Sequence, residues 1–159
     1  MKKITKILVA NRGEIALRVL KTAKEMGIKV VTVYADDDQN LPHALFADES
    51  YALGSGLLSE TYLNKDKLIQ IAKLSGADAI HPGYGFLSEN AAFSKQVEDN
   101  GIIFIGPTAE SIELMGDKMG SKKALEKMNI PMIPGYHGED QDDKRLLDEA
   151  QKIGFPVLI

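Results

Sequence analysis

Apolar residues fall into two rhythms along this chain. Short runs rich in Val, Ile and Leu read as buried strands, and longer segments with apolar positions every three or four residues read as amphipathic helices. Ile4–Ala10 is the first strand. Gly13–Gly27 follows as a helix, with Ile15, Ala16, Val19, Leu20, Ala23 and Met26 on its inward stripe and Gly27 as its stop. On its outer face Glu14 and Arg18, and Lys21 and Glu25, stand at ion-pairing spacing. Val30–Tyr34 is a strand, Asp36–Asn40 a polar loop and Tyr51–Leu53 a short strand. Asn64–Ser75 is a helix, Ala77–Ile80 a strand, Ser88–Asn100 a helix capped by Ser88, and Ile102–Ile105 another strand. Strands and helices that alternate through short connections imply right-handed crossovers and a parallel sheet. The pattern predicts an α/β fold, a Rossmann-like doubly wound domain, over residues 1–115.

The pattern then changes. Thr108–Met115 and Asp117–Met128 are short helical stretches, and Asn129–Gly138 is punctuated by Pro and Gly. Asp142–Ile153 reads as a helix and Phe155–Ile159 as the start of a strand. An apolar strand with nothing after it to cover it leads us to expect residues 116–159 to be the beginning of a further domain that continues in a longer polypeptide.

Bulk properties narrow the function classes. Apolar residues make up 44% and charged residues 26% of the 159, as in a soluble globular protein. A net charge of −4 argues against binding nucleic acid or an anionic membrane. There is no Cys, which removes thiolate chemistry and Cys-ligated zinc and fits a reducing, cytoplasmic location. The basic start of the chain is followed by too short an apolar run for a signal peptide or membrane span.

Three segments carry candidate chemistry. The first strand-to-helix turn, Ala10-Asn11-Arg12-Gly13-Glu14, holds one glycine where a dinucleotide fingerprint needs three, so NAD binding is not expected. Asp36 and Asp37 then read as solvated. His81-Pro82-Gly83-Tyr84-Gly85-Phe86-Leu87-Ser88-Glu89-Asn90 follows a strand, at the sheet edge where open parallel sheets bind ligands. Gly83 and Gly85 allow backbone N–H groups to face a ligand, Glu89 can accept from an Arg or an N–H, and Phe86 reads as core. Tyr84 suits core and ligand contact equally. In Met115-Gly116-Asp117-Lys118, Asp117 caps a helix and sets Lys118 at its first turn, where a cation adds to the attraction of phosphate. A lone lysine there is usually just an ordinary surface residue. His43, His81 and His137 are too scattered for a metal site, and no nucleophile–base set is visible.

These segments together resemble biotin carboxylases. Ile7 to Ala16 resembles the family's opening, His81 to Asn90 its central loop, and Phe104-Ile105-Gly106-Pro107 with Met115 to Lys118 its passage into the ATP-grasp region. Pro134-Gly135-Tyr136 and Ile153 to Ile159 continue the likeness, which runs in order through the whole chain. Gly135 to Gln141 looks most like methylcrotonoyl-CoA carboxylase subunits. The resemblance implies a pre-ATP-grasp domain at 1–115, the start of an ATP-grasp domain at 116–159, and ATP- and bicarbonate-dependent carboxylation of biotin held on a carrier domain. It implies ATP contact by Lys118, a biotin side formed by Gly83, Tyr84 and Gly85 with Glu89 in support, and a homodimer interface at Arg18 and Glu25. Lys21 departs from an Arg found there in some members. Further implied participants are Mg²⁺ and a carboxyltransferase subunit. The Mg²⁺-binding acids, carboxylating-site Arg and general base have no counterpart here, so no catalytic residue and no metal ligand is expected within the chain, no cofactor is expected tightly bound, and the chain alone is expected to be inactive. A non-catalytic interaction or dimerisation module, and the N-domain of another ATP-grasp ligase, stand as alternatives.

Overall fold

A computed structural model describes residues 3–158, without the side chains of Lys118, Lys123 and Lys127. The chain divides into two compact units, residues 1–113 and 114–159.

Unit 1 is built on five parallel strands, β1 (Lys6–Val9), β2 (Lys29–Ala35), β3 (Glu49–Gly54), β4 (Ala79–His81) and β5 (Ile103–Phe104), in the order β3-β2-β1-β4-β5. Alternation of side chains along the strands sorts the core into two faces. Ile7, Val9, Val30 and Ala79 pack with Ala16, Leu20 and Ala23 of α1 (Gly13–Glu25). Leu8, Val31, Val33 and Ile80 face the other way, toward Leu68 and Ala72 of α3 (Lys65–Ser75) and Phe93 and Val97 of α4 (Ala91–Asp99). With both faces covered, the strands read as continuous apolar runs, and the expected doubly wound architecture is the one observed.

Three local expectations need correction. The helix expected to begin at Ser88 begins at Ala91, because Asn90 is the cap: its Oδ1 accepts from Phe93 N at 2.8 Å. Residues 88–90 instead close turns, with Ser88 N donating to Gly85 O at 2.9 Å. The expected loop after β2 contains a 3-10 turn (Asp36–Asp38) and a short helix, α2 (Pro42–Phe46), opened by a proline that gives up no helical hydrogen bond. Neither ion pair expected on α1 closes: Glu14, Arg18, Lys21 and Glu25 are exposed and form no ion pair among the described residues.

The helix α5 (Ala109–Gly116) leads into unit 2, which contains α6 (Lys118–Lys127) and α7 (Asp143–Ile153). Asp117 caps α6 through its carboxylate, which accepts from Met119 N at 3.1 Å and Gly120 N at 2.8 Å. The strand expected at Phe155–Ile159 is not formed by residues 155–158, which make no ladder among the described residues; Ile159 lies outside them. No described helix is long and apolar enough to cross a membrane.

Candidate functional site

The strand order reverses direction between β1 and β4, so the turn after β1 and the loop after β4 diverge and leave a crevice at the carboxyl ends of the strands. The sequence puts Asn11-Arg12-Gly13 in the first turn and Pro82 to Asn90 in the second. Asn11 is 2% exposed and ties the two together. Its Nδ2 donates to Pro82 O at 2.8 Å and Tyr84 O at 2.9 Å, while its Oδ1 accepts from Arg12 N at 2.9 Å. Every hydrogen-bonding position of that amide except one lone pair is used, which also fixes its orientation.

Arg12 reaches sideways along the same edge. Its Nη2 donates to Asp38 Oδ1 at 2.7 Å, and its guanidinium lies 5.7 Å from the Tyr62 ring centre. Asp38 is buried, and its Oδ2 accepts from the Tyr62 hydroxyl at 2.6 Å. The same hydroxyl oxygen accepts from Ala35 N at 3.1 Å. Burial and the bond to Asp38 push the Tyr62 hydroxyl far above its ordinary pKa, so it stays a donor at every physiological pH. The Tyr62 ring stacks on Phe86 at 5.4 Å. Residues from four successive strand ends thus meet beneath the loop after β4.

That loop is strained and specific. Gly83 and Gly85 have φ of +69° and +64°, and Phe86 lies at +46°, a conformation that costs a side-chain-bearing residue about 1–2 kcal/mol. A Cβ on Gly83 would stand 2.6 Å from Asn11 Nδ2 and 2.9 Å from Ile15 Cγ2, so glycine is needed there for space as well as for φ. Gly83 N donates to His81 Nδ1 at 3.0 Å, and burial lowers the His81 pKa, which keeps that nitrogen an acceptor. Tyr84 is 72% exposed, which resolves its ambiguity away from the core. The N–H groups of Tyr84 and Gly85 have no hydrogen-bond partner among the described residues. Phe86 is half-buried against the core, close to the expectation for it.

The other expected residues fall as follows. Glu89 is exposed and receives no hydrogen bond from an Arg or N–H among the described residues. Arg18 lines an apolar groove of ≈ 460 Å³ beside α1, together with Ile15, Val19, Met26, Tyr84 and Ile105. Glu25 is exposed on the same helix, seven residues on, so the two share one face. Lys118 opens α6, but its side chain lies outside the described residues. No group of three or more His, Asp or Glu side chains converges among the described residues in a way that suits a cation. Asn11 and Arg12, which the sequence places in a candidate turn without assigning them a role, and Asp38 and Tyr62, which it does not single out, are the residues that build the crevice.

An open parallel α/β domain with a glycine-hinged loop at its switch point has the architecture in which ligands sit outside the carboxyl ends of the strands. Residues 3–112 match the family described as "Biotin carboxylase, N-terminal domain", and the chain belongs to that family. It is 57% identical over its whole length to the alpha subunit of a mitochondrial methylcrotonoyl-CoA carboxylase of Dictyostelium discoideum, covering 23% of that protein. It is 50% identical over 157 residues to the biotin carboxylase of Haemophilus influenzae, covering 98% of this chain and 35% of the relative. Among solved structures it is similar to the biotin carboxylase domain dimer of Hydrogenobacter thermophilus 2-oxoglutarate carboxylase in complex with MgADP, ADP and bicarbonate. That similarity has a TM-score of 0.88 at 44% identity, covering 98% of this chain and 34% of the other. The chain therefore spans about a quarter to a third of the length of the relatives it matches.

Proposed function

We propose that this chain supplies the biotin-facing loop and the entry to the nucleotide site of a biotin carboxylase. In that reading the whole enzyme uses ATP and bicarbonate to carboxylate biotin on a carrier domain, for onward transfer by a carboxyltransferase subunit. The observation that carries it is the loop at the switch point: exposed Tyr84 between two left-handed glycines, with N–H groups that have no partner among the described residues, held from beneath by Asn11. An ureido group offers a carbonyl acceptor and two N–H donors on a flat ring. A tyrosine face and free backbone N–H groups are the complement of such a ligand.

Lys118 at the start of α6 is the nucleotide-contacting residue in this reading, where a helix N-terminus and an ammonium both favour phosphate. Mg²⁺, when bound, neutralises phosphate charge; the described residues offer no set of acids to hold it. In our reading the chain alone is inactive, since it spans only about a quarter to a third of the relatives' length, and its domains are 1–115 and 116–159. Arg18 and Glu25 are our candidates for a homodimer face. The 57% identity to the Dictyostelium methylcrotonoyl-CoA carboxylase subunit supports an acyl-CoA carboxylase as the parent system in our reading. A chain without Cys suits a reducing compartment, in our reading the cytoplasm, although the Dictyostelium relative is described as mitochondrial.

The test is a chimaera in which residues 1–159 replace the matching segment of the Haemophilus influenzae biotin carboxylase. Bicarbonate- and biotin-dependent ADP release is expected. Tyr84→Ala is expected to raise KM for biotin about tenfold and leave KM for ATP unchanged, as the loss of one ligand contact of about 1.4 kcal/mol. A soluble, folded chimaera without biotin-dependent turnover, or one whose biotin KM ignores Tyr84→Ala, overturns the reading.

A further inference from the structure

We propose that Asn11 and Tyr62 are positioning residues that hold the two halves of the Gly83–Phe86 loop in one conformation, with Arg12 and Asp38 fixing Tyr62. The inference rests on the reading of that loop as the biotin side.

The loop cannot order itself. It has three left-handed positions within four residues, at Gly83, Gly85 and Phe86, an exposed Tyr84, and two N–H groups that bond to nothing among the described residues. Its own fixed contacts are Gly83 N to His81 Nδ1 and Ser88 N to Gly85 O. Order must come from outside it, and two separate anchors supply it. Asn11 grips the first half through the carbonyls of Pro82 and Tyr84. Both acceptors point inward to the amide, which turns the peptide N–H groups that follow them away from it. The second half is held by Phe86, whose left-handed backbone places its ring on Tyr62. Tyr62 in turn cannot swing, since its hydroxyl is fixed between Asp38 Oδ2 and Ala35 N, and Asp38 is fixed by Arg12. A preorganised loop costs a ligand less ordering entropy, so the anchors act on affinity without touching the ligand.

The experiment is ¹⁵N relaxation on the 159-residue chain, with Asn11→Leu (near-isosteric, no donors) and Tyr62→Phe (ring kept, hydroxyl removed). Order parameters of about 0.85 mark rigid backbone and values under about 0.6 a flexible one. In the unaltered chain Gly83–Phe86 is expected near the rigid value. Asn11→Leu is expected to loosen Gly83 and Tyr84 first, and Tyr62→Phe to loosen Gly85 and Phe86, while the amides of Leu8, Val31 and Val97 stay rigid. A merely structural role would instead loosen loop and core together. That uniform change, or unchanged order at Gly85 and Phe86 in Tyr62→Phe, overturns the proposal; if Asn11→Leu does not fold, Tyr62→Phe decides it. In the chimaera the same substitutions are expected to raise the biotin KM severalfold at unchanged ATP KM. A loosened loop with an unchanged biotin KM upholds the positioning role and overturns the biotin assignment.

Discussion

The two units of this chain differ in what their apolar residues accomplish. In unit 1, Leu8, Leu20, Leu68, Ile80 and Phe93 are all essentially inaccessible, distributed over both faces of a parallel sheet. In unit 2, Ala150 is the only buried hydrophobic residue among those described, while Ile133 and Phe155 are 87% and 70% exposed. Unit 2 is nevertheless helical, with Asp117 capping α6 and Arg145, Glu149 and Lys152 paired along α7. Caps and surface pairs contribute tenths of a kcal/mol to about 1 kcal/mol each, whereas burial of a large side chain contributes about 1.5–3. Local signals can therefore specify a helix without supplying a core that holds it.

The largest consequence is kinetic. Brief trypsin treatment followed by mass spectrometry is expected to cut at Arg145 and Lys152 on the order of 100-fold or more faster than at Arg18 or Lys73, because local opening costs range from nearly nothing to the full unfolding free energy. Equal protection of both sets of sites would break the comparison and show that unit 2 is held as firmly as unit 1.

A smaller effect sharpens the comparison inside unit 1, where the loop after β4 joins a rigid core to an exposed ligand face. Gly85→Ala meets no neighbouring atom, so it is expected to cost about 1 kcal/mol for its φ alone. Gly83→Ala adds an overpacking cost against Asn11 and Ile15, for a total of roughly 2–4 kcal/mol. Urea midpoints of unit 1 measure the difference, and equal losses would show that the Asn11 side chain yields, contrary to a firm anchor.

These contrasts also show what could be read from the residues alone. The sheet and α1 were legible because buried parallel strands and an amphipathic helix leave periodic patterns, and the Pro82–Asn90 loop because glycines punctuate it at a strand end. Asn11 and Asp38 were not, because their burial depends on partners about 70 and 24 residues away in sequence, Pro82 with Tyr84 and Tyr62 respectively. Within the run Asp36-Asp37-Asp38, nothing local distinguishes the buried acid from its two exposed neighbours. One signal was available: Asn11 directly follows an apolar run and stands two residues before a glycine, a place where a buried amide can bridge neighbouring strand ends. The strand expected at the end of the chain failed for the complementary reason, since residues 155–158 have apolar character but no described ladder to join.

The smallest effect expected is a pH dependence confined to unit 1. His43 is fully buried in α2, with Nδ1 accepting from Gly13 N at 3.3 Å, and desolvation lowers its pKa although Asp38 nearby opposes this. Its Nε2 is buried without a hydrogen bond of good geometry among the described residues, and the loss of hydration outweighs the support that Asp38 and the Val33 backbone give a charged ring. His81 is lowered by desolvation too, and its Nδ1 holds Gly83 N. In the unfolded chain both titrate near 6.5. The unfolded state therefore binds more protons than the folded one as pH falls below that value. Stability is fully present above about pH 6.5 and declines toward the folded pKa values, by at most about 1.4 kcal/mol per pH unit for each histidine. Asp48 and Glu49, whose carboxyl pKa values are lowered chiefly by hydrogen bonds from Lys24 and Lys6, also lose their contribution in acid. That loss falls below the ordinary carboxylate range near 4, so pH 5–6.5 isolates the histidines. Urea unfolding of unit 1, followed through the amide resonances of Leu8 and Val31, is expected to show a falling midpoint across that window. His81→Asn, whose Oδ1 can accept from Gly83 N, is expected to make the slope shallower, since one of the two titrations is removed. A flat profile in the unaltered chain would mean that both rings take up their protons as readily folded as unfolded, and that the acceptor roles given to His43 and His81 at the strand ends are wrong.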